Sequence, residues 1–185
     1  MKVSYIPDFL FDGDTFHTDV PITVSDGVIS SLDIENGAKE VKISGTLAPG
    51  FVDLQVNGGG GLLFNHFPTL STLEKMISAH SRYGTTSMLP TVITSDISTI
   101  RRAADAVSEA ISKKLPGVIG IHFEGPHISA AKKGIHDASQ IRELSDEEMA
   151  IYSRQDLGYR LLTVAPENVS SRQIHQLKEC GVKVC

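Results

Sequence analysis

The sequence predicts an α/β protein in which a small β-rich segment precedes a parallel sheet covered by helices. Two observations predict this class. Residues 1–48 contain short alternating segments and many turn residues but no helical period. From residue 49 onward, short apolar segments alternate with segments of helical periodicity, which is the pattern of βαβ units. We therefore expect two domains, an incomplete β domain over residues 1–48 and an α/β domain over residues 49–185.

The β-rich segment is predicted from a hairpin signal. Residues 20–25 and 28–34 both have strand character, and the Asp26–Gly27 dipeptide between them is typical of a tight hairpin turn. Further short strands are predicted at residues 3–6, 9–11 and 41–43. Because so few residues cannot bury a good core alone, we expect this segment to depend on other parts of the protein.

The strands and helices of the α/β segment follow in order along the chain. Strands are predicted at residues 51–56, 85–91, 118–124, 159–165 and 182–185. Helix starts are predicted from capping signals, which are capping boxes at 71–74, 145–148 and 170–173 and a cap at Ser95 or Asp96. The units recur roughly every 30–45 residues, as in the amino-terminal part of a (β/α)₈ barrel, and about four are present. Since half a barrel would leave strand edges unpaired, we expect the sequence to be part of a longer chain.

Composition and charge argue against several functional classes. The formal net charge of −5 argues against nucleic acid as a partner. No apolar run approaches the ~20 residues that span a membrane, and the first residues lack the apolar core of a signal peptide. The two cysteines, Cys180 and Cys185, predict no disulfide framework. We therefore expect a cytoplasmic location and no nucleic-acid or membrane partner.

The strand that ends at Glu124 is the strongest candidate for a functional site. Side chains alternate along a strand, so His122 and Glu124 are predicted to face the same way. Gly125–Pro126 then ends the strand, which places Glu124 at the carboxyl edge of the sheet, where α/β proteins hold their chemistry. A carboxylate there needs a partner. The position alone leaves two hypotheses open: a metal or catalytic role, and a structural pairing with a loop arginine or backbone amides.

Other polar residues are predicted at the same edge. Gln55 and Asn57 share one face at the end of the first α/β strand and suit either ligand binding or hydrogen bonds to the next loop. The glycine run 58–61 suits either an anion-binding nest or a flexible loop. The loop after Glu124 suits either solvent or a negatively charged substrate; its cations and imidazoles are His127, Lys132, Lys133 and His136.

Five motifs in register resemble one enzyme family. They are LAPGFVDLQVNGGGG at 47–61, YGTTSMLPT at 83–91, GIHFEGPH at 120–127, KKGIH at 132–136 and LTVAPE at 162–167. Together they resemble the N-acetylglucosamine-6-phosphate deacetylases of the amidohydrolase superfamily. The resemblance implies a (β/α)₈ barrel with a small β-sandwich made from both chain ends, which explains the dependence expected of residues 1–48.

The resemblance also implies an activity and a set of site residues. The family hydrolyses the acetamide of N-acetylglucosamine 6-phosphate to glucosamine 6-phosphate and acetate, in amino-sugar catabolism. Glu124 is implied to be a ligand of a divalent metal ion, one zinc, and Ile135 and His136 to contact the phosphosugar substrate. Further candidates for lining the site are Gln55, Asn57, His122 and His127. The full-length enzyme is implied to be a cytoplasmic homodimer.

The resemblance places the family's other metal ligands and its catalytic aspartate beyond the fourth barrel strand. No catalytic residue is therefore predicted within these 185 residues, and we expect this chain alone to be inactive. Two alternatives stay open: another amidohydrolase, such as a dihydroorotase-like cyclic amide hydrolase, and a catalytically silent fragment. Histidines at positions 55 and 57 would favour the former, but Gln55 and Asn57 stand there.

Overall fold

The first 50 residues form a five-stranded sheet without helices in the computed structural model, which describes residues 1–185. The central strand pairs antiparallel with two strands and parallel with the last one. In chain order the strands are β1 (Lys2–Phe11), β2 (Phe16–Thr18), β3 (Ile22–Ser25), β4 (Val28–Ser31) and β5 (Lys39–Leu47). The hairpin predicted at Asp26–Gly27 is confirmed as the β3–β4 turn, in which both residues have positive φ.

One prediction for this sheet is wrong in detail. Residues 3–6 and 9–11 were expected to form two strands, but they lie in the single strand β1. The pairing of β1 with β5 shifts register between Pro7 and Phe9. Such an irregularity lets a strand continue past a residue that cannot donate to the ladder, as proline cannot.

Residues Phe51–Cys185 form a second unit, in which strands and helices alternate as predicted. Its elements are β6 (Phe51–Val56), β7 (Gly58–Gly59), β8 (Leu62–Leu63), α1 (Leu70–Ser81), β9 (Thr85–Ile93), α2 (Ile97–Ser112), β10 (Gly120–Glu124), α3 (Asp146–Tyr152), β11 (Tyr159–Thr163), α4 (Ser171–Glu179) and β12 (Lys183–Val184). Five strands form one sheet in the order β6-β9-β10-β11-β12, and every pairing in it is parallel. None of the helices combines the length and apolar composition needed to cross a lipid bilayer.

The helix starts follow the predicted caps with one exception. The capping boxes that begin at Ser145 and Ser170 are confirmed, and Asp96 caps α2. The box predicted from Ser71 is wrong, because the hydroxyl of Thr69 accepts the hydrogen bond from the Thr72 amide. Thr69 has the extended backbone that a cap requires, whereas Ser71 already lies inside the first turn.

The core of this unit lies on one side of β10. Phe123 and Ile121 are fully buried, and the ring of Phe123 packs on Tyr152 of α3 with 4.6 Å between centroids. The intervening residue His122 and the last residue Glu124 project from the opposite side, as the alternation of a strand requires. The polar side of the sheet is therefore the side away from the helix-facing core.

Phe64 and Phe67 offer a matched test of this core. Phe64 belongs to the hydrophobic core with no exposed surface, whereas Phe67 is 58% exposed. Replacement of Phe64 by alanine is expected to lower the free energy of unfolding by about 3–5 kcal/mol, because it removes buried surface and leaves a cavity. Phe67→Ala is expected to change it by less than about 0.5 kcal/mol. Urea denaturation followed by circular dichroism measures both, and equal losses would contradict this assignment of the core.

Candidate functional site

Glu124 lies at the carboxyl edge of the parallel sheet, as the last residue of β10. Its side chain is 22% exposed. The carboxylate oxygen Oε2 accepts a 2.8 Å hydrogen bond from the amide Nε2 of Gln55, near the carboxyl end of β6, which lies two strands away beyond β9. The basic group within 4.0 Å is the imidazole of His136, whose Nε2 lies 3.9 Å from Oε1. The carboxylate therefore accepts a hydrogen bond from an amide and faces a histidine, and no arginine pairs with it.

His136 reaches this edge from the loop between β10 and α3. The ring is buried, and its Nδ1 lies 2.8 Å from the hydroxyl oxygen of Thr94, just beyond the end of β9. The distance of 3.9 Å between Nε2 and Glu124 is too long for a hydrogen bond. No local sequence pattern points to Thr94, because its partner is 42 positions away in the chain.

Gly125 has a steric reason to be glycine. Its φ is +84°, and a Cβ atom built on it would overlap the hydroxyl oxygen of Thr94. A side chain at this position would therefore displace Thr94 and, through it, the ring of His136. In the Glu-Gly-Pro motif the carboxylate is therefore followed by glycine, the one residue type that leaves space for the hydroxyl of Thr94.

His122 lies on the same side of β10 and is held by two threonines. Its Nε2 is 2.8 Å from the hydroxyl of Thr163 on β11, and its Nδ1 is 3.4 Å from the hydroxyl of Thr91 on β9. Burial lowers the pKa of His122, and the negative charge of Glu124 opposes this only partly. The imidazole is therefore neutral at pH 7. The expectation that His122 and Glu124 face the same side of the sheet agrees with these contacts.

His127 lies elsewhere, in a buried network with α3. Its Nδ1 is 3.0 Å from the carbonyl oxygen of Arg142 and its Nε2 is 3.1 Å from the hydroxyl of Tyr152. Because a carbonyl only accepts, Nδ1 donates to it and Nε2 accepts from Tyr152. Burial lowers the pKa of His127, although the carboxylate of Glu148 acts in the opposite direction. The structure does not bring His127 to Glu124; it uses His127 to attach the loop to α3.

Arg142 attaches the same loop to two helices. Its guanidinium forms an ion pair of 2.7 Å with the buried carboxylate of Glu148 in α3. It also donates a 2.9 Å hydrogen bond to the carbonyl oxygen of Ser95, just before α2. The loop that carries His136 is thus anchored at its far end. This anchor holds His136 in place although the loop is long.

Neither Ile135 nor Asn57 forms a hydrogen bond with Glu124. Ile135 is 90% exposed and borders an open cavity of about 380 Å³, which Thr94 and Asp96 also line. Hydrogen bonds with Ser98 and the amide of Thr99 lower the pKa of Asp96 to about 2. The backbone carbonyl of Asn57 accepts a 2.9 Å hydrogen bond from the amide of Phe64.

The glycine run forms an ordered hairpin. Gly58–Gly59 and Leu62–Leu63 pair as β7 and β8, and the carbonyl oxygen of Gly58 lies 2.9 Å from Nε2 of His80 in α1. A Cβ on Gly59 would also come within 2.9 Å of that imidazole nitrogen. These glycines allow close packing of the hairpin on α1. This role differs from both hypotheses from the sequence, the anion-binding nest and the flexible loop.

The donor set limits what this edge can hold. No three His, Cys, Asp or Glu side chains of the chain are placed to bind one metal ion, whereas protein zinc sites use three or four ligands. Glu124 fits as one such ligand, because its Oε1 has no hydrogen-bond partner and its Oε2 is oriented by Gln55. The chain therefore provides one oriented oxygen ligand.

Comparisons with known proteins identify relatives of the chain. No family model matches it. Over 167 residues it is 53% identical to N-acetylgalactosamine-6-phosphate deacetylase from Shewanella sp. (strain ANA-3), a match that covers 86% of this chain and 42% of the relative. Over 162 residues it is 33% identical to N-acetylglucosamine-6-phosphate deacetylase from Haemophilus influenzae, covering 87% and 42%. The crystal structure of N-acetylglucosamine-6-phosphate deacetylase from Pasteurella multocida superposes with a TM-score of 0.92 at 30% identity, over 100% of this chain and 50% of that one.

These matches confirm the resemblance that the motifs indicated. The chain is homologous to the amino-terminal portion of the amino-sugar 6-phosphate deacetylases. It spans 42% of the length of the two curated relatives and 50% of the solved structure.

The buried His127 predicts a pH dependence of stability. Its pKa is lowered in the folded chain, so the unfolded state binds a proton more readily. Stability is therefore expected to fall as the pH drops through about 6.5, the ordinary value of an unfolded histidine. In His127→Gln the free energy of unfolding should change less steeply with pH, by up to about 1.4 kcal/mol per pH unit.

Urea denaturation between pH 8 and pH 5 measures this dependence. Glu148, Arg142 and Tyr152 face the ring and stay unchanged in the variant. The matched control is His175→Gln, since the side chain of His175 is 75% exposed. If the free energy of unfolding changes with pH by the same slope in His127→Gln and in the unsubstituted chain, this histidine does not couple folding to pH.

Proposed function

We propose that this chain supplies part of the active site of a metal-dependent deacetylase that acts on N-acetylglucosamine 6-phosphate. The observation that carries the proposal is the group at the carboxyl edge, in which Gln55 orients Glu124 and His136 faces it. The names of the relatives support the reaction class. The products are acetate and glucosamine 6-phosphate. In the same proposal, the parallel sheet belongs to a (β/α)₈ barrel.

In this proposal Glu124 would be one ligand of a divalent metal ion, zinc. When bound, the metal would polarise the acetamide carbonyl and lower the pKa of a water molecule. Gln55 donates its hydrogen bond to Oε2, and Oε1 faces His136 at 3.9 Å. The other ligands and the aspartate that moves the proton are not among the residues that this chain brings to the edge.

His136 and Ile135 contact the phosphosugar in this proposal. His136 contributes a ring nitrogen that faces Glu124, and Ile135 contributes an exposed apolar side chain at the rim. The neutral His122 and Asn57 line the space beside them. The exposed Lys132 adds positive charge to the same loop, which favours a substrate with a phosphate group.

N-acetylgalactosamine 6-phosphate is a second candidate substrate. The identity of 53% to a deacetylase of that name, against 33% to one named for the glucosamine compound, favours it. The two substrates are epimers that share the acetamide and the phosphate. The roles proposed for Glu124 and His136 therefore serve either sugar.

The remaining expectations belong to the same proposal. We place the enzyme in the cytoplasm as a homodimer, with a small-molecule substrate and no nucleic-acid or membrane partner. The net charge of −5 supports the absence of a nucleic-acid partner.

The metal role of Glu124 is tested by Glu124→Gln in a deacetylase that contains these residues and the remaining ligands. Bound metal, measured by elemental analysis, is expected to be lost together with acetate release, which should fall by at least about 100-fold, because removing even a supporting group of a metal site costs ~10–100-fold in affinity or activity. The matched control is Glu143→Gln, at an exposed glutamate of the following loop. Metal content at the unsubstituted level in Glu124→Gln would rule out the ligand assignment.

The two candidate substrates are separated by acetate release from each 6-phosphate at equal concentration. We expect release from at least one of them and a loss of at least about 100-fold with N-acetylglucosamine that lacks the phosphate, because the charged group contributes binding energy. The faster epimer identifies the substrate. Ring opening of dihydroorotate without acetate release from either sugar would instead favour the cyclic amide hydrolase.

A further inference from the structure

We propose that Asn36 is a modification site of this protein, at which the side-chain amide is converted to a carboxyl group without an enzyme. The chain contains two Asn–Gly dipeptides, Asn36–Gly37 and Asn57–Gly58. The fold leaves the first dipeptide free to react and restrains the second. The inference does not rest on the proposed function of the chain.

The reaction needs only the peptide itself and water. The backbone nitrogen of the glycine attacks Cγ of the asparagine, so an N–Cγ bond forms and the Cγ–Nδ2 bond breaks. The side-chain nitrogen leaves as ammonia, which takes the proton of the glycine N–H group. Water then opens the cyclic imide at Cγ, which gives aspartate, or at the main-chain carbonyl carbon, which gives isoaspartate. Asparagine is a thermolabile residue, and a following glycine has no side chain to obstruct the attack.

Asn36 and Gly37 are the two central residues of an exposed turn. The turn is closed by a 3.1 Å hydrogen bond from the amide of Ala38 to the carbonyl oxygen of Glu35. The peptide group between Asn36 and Gly37 forms no hydrogen bond with other backbone groups. A Cβ atom on Gly37 would meet no atom within 4 Å. The reacting groups are therefore solvated and free of packing contacts.

The attack requires rotation about the Cα–C bond of Asn36, which brings the nitrogen of Gly37 toward Cγ. The φ of Gly37 is +79°, which is the value at this position of a type II turn. Type I and type II turns differ in the orientation of the central peptide group and share the closing hydrogen bond. Since glycine adopts both signs of φ, this peptide group can rotate while the bond from Ala38 to Glu35 remains.

The same rotation at Asn57 breaks contacts of the β7–β8 hairpin. The carbonyl oxygen of Asn57 accepts a 2.9 Å hydrogen bond from the amide of Phe64. The carbonyl oxygen of Gly58 lies 2.9 Å from Nε2 of His80, and a Cβ atom on Gly58 would overlap the carbonyl oxygen of Leu62. The hairpin must therefore open locally before the nitrogen of Gly58 reaches Cγ, and this opening costs free energy.

Peptide mass spectrometry measures the loss of each amide while the folded chain is kept at pH 8 and 37 °C. Trypsin cleaves after lysine and arginine, so it yields a peptide of residues 3–39, in which Asn36 is the only asparagine, and a peptide of residues 43–75, which contains Asn57. We expect Asn36 to be converted at least about 10-fold faster than Asn57, because only Asn57 must first be released by local opening. A smaller ratio, or faster conversion of Asn57, would overturn the proposal.

The same measurement in urea identifies the fold as the cause. Both dipeptides are solvated in the unfolded chain, so we expect the difference between the two rates to disappear there. A difference that persists in urea would assign it to the local sequence and would contradict the role of the fold. If Asn36 is converted in urea but keeps its amide in the folded chain, the turn is not a modification site.

The variant Asn36→Gln tests the site itself. It retains an amide but would have to form a larger ring, and its side chain lies in an exposed turn, so the fold should be retained. Ion-exchange chromatography separates the more acidic product from the starting chain. We expect the variant to lose most of the acidic product that the unsubstituted chain forms over the same time. An equal yield of acidic product in both chains would show that another residue reacts instead.

Discussion

The alternation of side chains along β10 determines where this protein places its core and its polar site. Phe123 enters the core with the ring of Tyr152, and Glu124, the next residue, must then face the other side. A carboxylate at the end of a buried strand is costly unless neighbouring groups interact with it. Gln55, two strands away on β6, provides a hydrogen bond, and the loop after β10 folds back so that His136 faces the second oxygen. The position of the site thus follows from the packing of a single strand.

That returning loop depends on a second set of buried polar contacts. Arg142 pairs with Glu148 and bonds the backbone near α2, while His127 and Tyr152 connect the start of the loop to α3. Buried networks of this kind hold one geometry only when their groups are satisfied. Here they hold His136 without contacting it. The two histidines of the loop therefore have different uses, His127 in the scaffold and His136 at the edge.

Much of the fold was predictable from local signals, whereas the site was predictable only as a location. Strand and helix periods gave the alternation of elements, and two serine capping boxes were found at their positions. The cap of α1 was wrongly assigned to Ser71, because Thr69 and Ser71 are both plausible caps and only backbone conformation separates them. Glu124 was located from the end of its strand. Its neighbours were not, because contacts such as Thr94 with His136 join residues 42 positions apart, and no local pattern reports them.

The partners of the three polar side chains at this edge share one chemical property, which is that they are neutral. An amide orients Glu124, and hydroxyls hold His136 and His122. An arginine in the place of Gln55 would also orient the carboxylate, but its positive charge would compete with any cation for the same oxygens. Neutral donors fix geometry while leaving the negative charge of Glu124 undiminished. The arrangement therefore leaves Glu124 as a carboxylate whose negative charge can attract a cation.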